Sequence, residues 1–288
     1  MSSAGRLDEL LADQSDRYSL AEACLLIAAD AYEDLDVNHY LAEIERMAAR
    51  LRGRLPPAVN AEGKVIALNQ FLFDELGFAG DIDDYYDPRN SYLNEVIERR
   101  RGIPISLSIV YMEIGRKIGL PLEGVSFPGH FLVRLGLRGS TLVLDPFAGG
   151  APLSENDLRK LLKRVIAGSG RAQMRSADDV AAELPLDQFL EPAGHRQILA
   201  RVLRNLKNIY REKDETHRQL QVLNRLLMVA PDAHTELRDR GLVYQQLEAF
   251  RAALRDLSDY LEREPEAADA DDIRAKVVEL TSRCAKLN

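Results

Sequence analysis

At 288 residues with 46% apolar side chains, the chain can form one large domain or two ordinary ones around a proper core. A net charge of −8, with acids and bases interspersed, argues against a dominant nucleic-acid-binding face. No apolar run reaches the roughly 18–20 residues of a membrane span, so no membrane partner is expected.

Compartment follows from the cysteines and the N-terminal residues. Cys24 and Cys284 stand far apart with no metal-ligand spacing. Residues 1–17 carry acids where a secretory leader needs bases and an apolar stretch. A reduced, cytoplasmic setting is expected, with no metal and no cofactor.

Residues 1–16 read as polar and loose. Ser19 caps a helix over Leu20–Tyr32, with Glu22 at capping-box spacing and Cys24 on its apolar stripe as a packed core thiol. A second helix follows Asp36 and stops at Gly53 and Pro56-Pro57. A third runs over Ala61–Leu76, with Gly77 as its C-cap. The acidic, aromatic stretch Asp81–Asn90 lacks the glycine and final glutamate of a calcium loop and reads as a structural loop. Ser91–Arg100 forms a short helix, and Arg99-Arg100-Arg101 reads as a solvated turn.

Gly102-Ile103-Pro104 breaks the chain, and a buried helix over Ser106–Ile118 follows, closed by Gly119. Leu122–Phe127, Phe131–Leu137 and Thr141–Leu144 carry strand patterns, the last two joined by the turn Gly136–Gly139 as antiparallel neighbours. Ser154 caps a helix through about Ala167. Gly168–Ala177 is a weak point, and Pro185–Gly194 marks a domain boundary.

From His195 onward the pattern is helical, and it repeats. The segments starting at Ala200 and His234 align at an offset of 34 residues, the tetratricopeptide period. Tyr210 matches Tyr244, Leu223 matches Leu257, Leu226 matches Tyr260 and Pro231 matches Pro265. Gly241 and Ala253 fall where two helices approach closely, whereas the first copy has Lys207 and Gln219 there, predicting looser packing. A helix over Asp271–Leu287 caps the stack.

The chemistry concentrates in residues 101–150. Ser106 starts a helix, where the N-terminal dipole favours a developing anion. His130 starts one strand and Asp145 ends the next, so the histidine can take a proton while the aspartate fixes its tautomer. Ser106, His130 and Asp145 are therefore the candidate triad. Ser106 is equally suited to capping, and His130–Asp145 to tying two strands together. The other histidines, at 39, 195, 217 and 234, show no ligand spacing and read as surface or capping residues.

The segments HFLVRL and LVLDP resemble the His and Asp motifs of the transglutaminase-like superfamily, the papain-related fold. In that superfamily a cysteine begins a buried helix, a histidine begins one strand and an aspartate lies on the next. The whole chain is similar to the bacterial SirB-type family, most specifically in NSYLNEVIERRRGIPISLSIVYMEIGRKIGLPLEGVSFPGHFLVRL, LVLDPFAGG and RDRGLVYQQLEAFRAALRDLSDYLE. The resemblance implies an α+β, transglutaminase-like domain at 17–185, with helices packed on a small antiparallel sheet, and an all-α, tetratricopeptide-like domain at 195–288. It carries the His and Asp roles onto His130 and Asp145. The cysteine is absent, and only its approximate position passes to Ser106. A serine hydroxyl, unlike a thiol, is not ionised by a helix terminus and a histidine. Two readings follow: a degenerate transglutaminase-like protein that acts as an adaptor or regulator, binding a protein or peptide through its repeats, or a serine hydrolase or acyltransferase acting on an amide or ester.

Overall fold

The computed structural model describes residues 3–12, 18–137, 139–168 and 183–286. The chain divides into two compact units, Met1–Ile198 and Leu199–Asn288. The expected weak point at Gly168–Ala177 lies, past its first residue, outside the described residues.

The first unit opens with a helix where the sequence pattern suggests loose chain. Helix α1 (Ser3–Leu11) buries Leu7 and Leu11, one turn apart, while Arg6 pairs with Glu22 at 3.0 Å. Two apolar residues at i and i+4 suffice for a short amphipathic helix once a neighbour is present to cover them. Helix α2 (Leu20–Ala28) begins where Ser19 accepts from the Glu22 N–H, and α3 (Val37–Arg52) where Asp36 accepts from Asn38 and His39. Helix α4 (Ala61–Asn69) continues as a π-helical segment, Gln70–Glu75, before Gly77 turns the chain at φ +72°.

Two short strands, β1 (Ala79–Gly80) and β2 (Arg101–Gly102), pair in parallel on either side of α5 (Leu93–Arg99). This pairing anchors both ends of the 81–100 segment. The arginine run is engaged rather than solvated: Arg99 reaches Asp81 and Asn90, Arg100 lies over the Phe78 ring, and Arg101 donates to the Gly77 carbonyl. Those partners lie 9 to 24 positions back, or across a ring face, beyond the reach of a local pattern.

Helix α6 (Pro104–Lys117) runs through the unit, with every residue from Pro104 to Gly115 buried. Its neighbours are α2, α3 and α5 as well as the sheet. The sheet is antiparallel in the order β3-β4-β5-β6: β3 (Leu122–Val125), β4 (Leu132–Leu137), β5 (Ser140–Asp145) and β6 (Ala151–Pro152). The fourth strand is too short to carry a strand pattern of its own; it adds to the edge of β5 after the Gly149-Gly150 turn. Helix α7 (Glu155–Gly168) covers the sheet with Leu158 and Leu162, packed against Val125, Phe127, Leu132 and Val143.

Every element that begins in the second unit is helical. After α8 (His195–Glu212), which begins in the first unit, come α9 (Thr216–Val229), α10 (His234–Gln246), α11 (Phe250–Arg263) and α12 (Ala270–Lys286). The second repeat copy packs as its residues predict. A Cβ on Gly241 would lie 2.7 Å from Leu257, so α10 and α11 need that glycine to approach as they do. In the first copy Lys207 stands at the position of Gly241 and bonds Asp239 of the next repeat at 2.8 Å.

Candidate active site

The start of α6 is set by Pro104, not by Ser106. Ile103 occupies the N-cap, Pro104 the first helical position and Ser106 the third. Proline suits the first position because that N–H has no helical partner anyway. Ile103 has no side-chain acceptor, so only half of a capping box is possible: the Ser106 Oγ accepts from the Ile103 N–H at 3.1 Å. The same hydroxyl donates to the Asn90 carbonyl at 2.6 Å, with the Ile103 carbonyl at 3.1 Å. Ser106 is 1% exposed. Its donor and one acceptor site are thus engaged inside the fold. A Cβ on Gly102 would sit 2.7 Å from that oxygen, which leaves no room for a side chain there.

Asn90, which carries no signal in the sequence pattern, holds this corner together. It is fully buried; its amide donates to the Asp84 carbonyl at 2.7 Å and accepts from Arg99 at 3.1 Å. Asp87 caps the short 3-10 turn Pro88–Asn90 and bonds Arg89, whose interactions hold the Asp87 carboxyl below its usual range despite burial. The acidic loop is therefore a built structural element that delivers one carbonyl to Ser106.

The other half of the candidate triad is arranged differently. The register Val133↔Leu144 puts Asp145 across from Leu132, and His130 two residues earlier lies on the same side. His130 Nε2 and Asp145 Oδ2 are 3.0 Å apart. The second carboxylate oxygen accepts from the Phe147 N–H at 3.0 Å, so Asp145 also caps the turn Pro146–Ala148. His130 itself lies in the turn just before β4, with its side chain 15% exposed. The Phe147 ring stands edge-on to the imidazole at 6.1 Å, and Gly80 lets that ring pack where a Cβ would collide with it. Such a pair can hold an imidazole in one orientation.

A further network braces the strand end. Tyr111 donates to Asn69 Oδ1 at 2.8 Å, and Asn69 donates to the Gly150 carbonyl at 2.9 Å. Gly150 has φ +74°, and a Cβ there would meet Asn69 at 2.1 Å, so only glycine fits. Asn69 is the last α-helical residue before the π segment, a distortion that often accompanies special side-chain placement. The sequence pattern marks Tyr111 as core, but its hydroxyl needs a partner that lies 42 positions away.

Cys24 offers no substitute nucleophile: it is buried in α2, and burial with the neighbouring Glu113 charge drives its thiol pKa far up. Glu113 is itself shifted up by burial, against the pull of Arg116 and Lys117. His195 is not a surface residue; its ring packs edge-on against Tyr18, and Arg116 approaches its Nε2 at 3.3 Å. Among the described residues, no helix is long and apolar enough to cross a membrane.

Comparison with known proteins agrees with this architecture. A model of the transglutaminase-like superfamily matches residues 38–204, and a tetratricopeptide-repeat model matches residues 206–277. A UPF0162 protein of Xylella fastidiosa (strain Temecula1) is 43% identical over 263 residues, covering 91% of this chain and 90% of its own. A UPF0162 protein of Vibrio cholerae is 28% identical, covering 91% and 92%, and Protein SirB1 of Salmonella typhimurium 27%, covering 90% and 91%.

Proposed function

Because the chain belongs to the transglutaminase-like superfamily, with tetratricopeptide repeats following that domain, we propose that it is a cytoplasmic, non-catalytic member acting as an adaptor or regulator that binds a protein partner through its repeats. The observation that carries this reading is the state of the Ser106 hydroxyl, buried and bonded to the Asn90 carbonyl and the Ile103 N–H. Acyl transfer needs a nucleophile whose proton is handed to the base. A serine already held by two backbone groups, in a helix whose first residue is a proline, is suited to structure instead. His130 and Asp145 keep an orienting geometry that serves equally to join the β4 and β5 ends.

The repeats supply what a binding role requires. Tetratricopeptide stacks present side chains from successive helices on one continuous surface. Here the stack is fixed by Gly241 against Leu257 and by ion pairs such as Arg204–Glu236 at 2.7 Å and Arg240–Asp256 at 2.6 Å.

Affinity capture with the full-length chain as bait tests the proposal. Wild type and His130→Ala should retain the same partner, and Gly241→Leu, which wedges α10 from α11, should lose it. Loss of the partner in His130→Ala with the repeats intact would contradict the proposal, as would esterase or amidase turnover that disappears in Ser106→Ala.

A further inference from the structure

A row of aromatic rings runs from the acidic loop to His130. Tyr86 stands edge-on to Tyr85 at 5.3 Å, Tyr85 to Phe147 at 6.3 Å, and Phe147 to His130 at 6.1 Å. Exposure falls along the row, from 63% at Tyr86 and 37% at Tyr85 to 15% for the His130 side chain. Ile82, in the same loop, is 79% exposed. Val165 of α7, also exposed, packs over Gly129, the residue before His130, where a Cβ would lie 2.5 Å from its Cγ2. Among the described residues, six large apolar side chains are exposed, and four of them, Ile82, Tyr85, Tyr86 and Val165, lie on this loop or beside His130.

Single exposed apolar residues are ordinary surface, whereas a contiguous run of them marks an interaction site. The loop that carries this run is braced from within. The Asp84 N–H donates to Asp81 Oδ1 at 3.1 Å, and the Asp84 carbonyl accepts from the Asp87 N–H at 3.1 Å and from the buried Asn90 amide at 2.7 Å. Its backbone is thus set before any partner arrives, which lowers the ordering cost of binding.

The charges beside the rings indicate what the occupant carries. Asp81 is paired with Arg99, and Asp87 with Arg89 and Arg99. Asp83 and Asp84, exposed between Ile82 and Tyr85, form no ion pair among the described residues. In α7, the exposed Lys163 and Arg164 immediately precede Val165. A cation on the occupant is therefore drawn to the loop, where aromatic faces add to the attraction, and repelled at α7. We propose that this strip docks a segment of a partner protein in which a bulky apolar or aromatic side chain stands next to an arginine or lysine. The apolar group lies on Ile82, Tyr85 and Tyr86, and the cation on Asp83 and Asp84. The strip lies wholly in the first unit, so this contact is additional to the one proposed for the repeats.

Selection of a random dodecapeptide phage library on the immobilised full-length chain tests this, followed by fluorescence anisotropy of the most enriched peptide. Enriched sequences should place an aromatic or large aliphatic residue beside arginine or lysine. Ile82→Ser with Tyr86→Ser should raise the Kd of that peptide by about tenfold or more. Asp83→Asn with Asp84→Asn should raise it by about threefold or more. All four positions are exposed, so both double variants should melt with the wild type. No enriched sequence, an acidic consensus, or an unchanged Kd in the Ile82/Tyr86 variant overturns the proposal. So does a concentration-dependent dimer in sedimentation that the Ile82/Tyr86 variant dissociates, because the occupant is then a second copy of this chain.

Discussion

The start of α6 contributes a hydroxyl to the candidate site and the ends of β4 and β5 an imidazole with a carboxylate, and the fold holds the two sides differently. At the helix start, Ser106 is enclosed and bonded to backbone at 2.6 and 3.1 Å. At the strand ends, the imidazole of His130 stays partly exposed beside Asp145, framed by Phe147. The hydroxyl's donor and one acceptor site are engaged by backbone, whereas the histidine is held by one carboxylate oxygen. Backbone groups hold one side of this frame and a side-chain pair holds the other, so the two sides answer to different substitutions.

Substitutions on the two sides should have unequal effects. The largest effect belongs to Asn90→Ala, which strips Arg99 and the Asp84 carbonyl of their partner and loosens the loop that meets Ser106. We expect about 2–3 kcal/mol of destabilisation in urea unfolding, from two part-buried hydrogen bonds left unmade. Ser106→Ala should destabilise by about 1–2 kcal/mol, because the Ile103 N–H and the Asn90 carbonyl lose the hydroxyl between them. An effect within about 0.5 kcal/mol of zero, the range of ordinary surface substitutions, would mean that the hydroxyl is not a pin. In Ser106→Cys, burial should keep the introduced thiol protonated, so iodoacetamide should leave it unmodified in the native protein. Rapid alkylation with a depressed apparent pKa would show the helix start still poised for chemistry.

Glu113, farther along the same helix, sharpens the contrast from inside the helix. Its carboxyl pKa is raised by burial, so the folded state favours the protonated form. Stability from that preference is full below the unfolded carboxyl pKa and is lost as pH rises through the folded one. Glu113→Gln should therefore raise the melting temperature more at pH 8 than at pH 5. A shift of equal size at both pH values would contradict the assignment. The smallest effect belongs to His130→Ala. With a side chain partly open to water, its removal should cost under about 1 kcal/mol, since water can replace one bond to Asp145.

Much of this is legible in the sequence, and the rest is missing for physical reasons. The 34-residue repeat shows itself because Gly241, Ala253, Tyr244 and Tyr260 carry a packing requirement that recurs at fixed spacing. The β3–β5 sheet is legible from strand patterns and the Gly136–Gly139 turn, and His130 and Asp145 stand out at its strand ends. What escapes depends on contacts distant in sequence. Ser106 reads as a first residue and a candidate nucleophile because serine is a good cap; its true partner is a carbonyl 16 residues earlier. Asn69, just before the π segment, has its partners Tyr111 and Gly150 42 and 81 positions away. Helix α1 escapes because Leu7 and Leu11 are too few for a periodic signal, and the arginine run because charge suggests solvent until its partners are in place.

Treating the native full-length protein with a fluorophosphonate and mapping the adducts by peptide mass spectrometry decides whether the Ser106 hydroxyl is a structural pin or a nucleophile. A pinned hydroxyl should give no adduct at Ser106 under conditions that label a serine hydrolase to completion. Stoichiometric labelling of Ser106 that vanishes in His130→Ala would contradict it and give the residues a working triad.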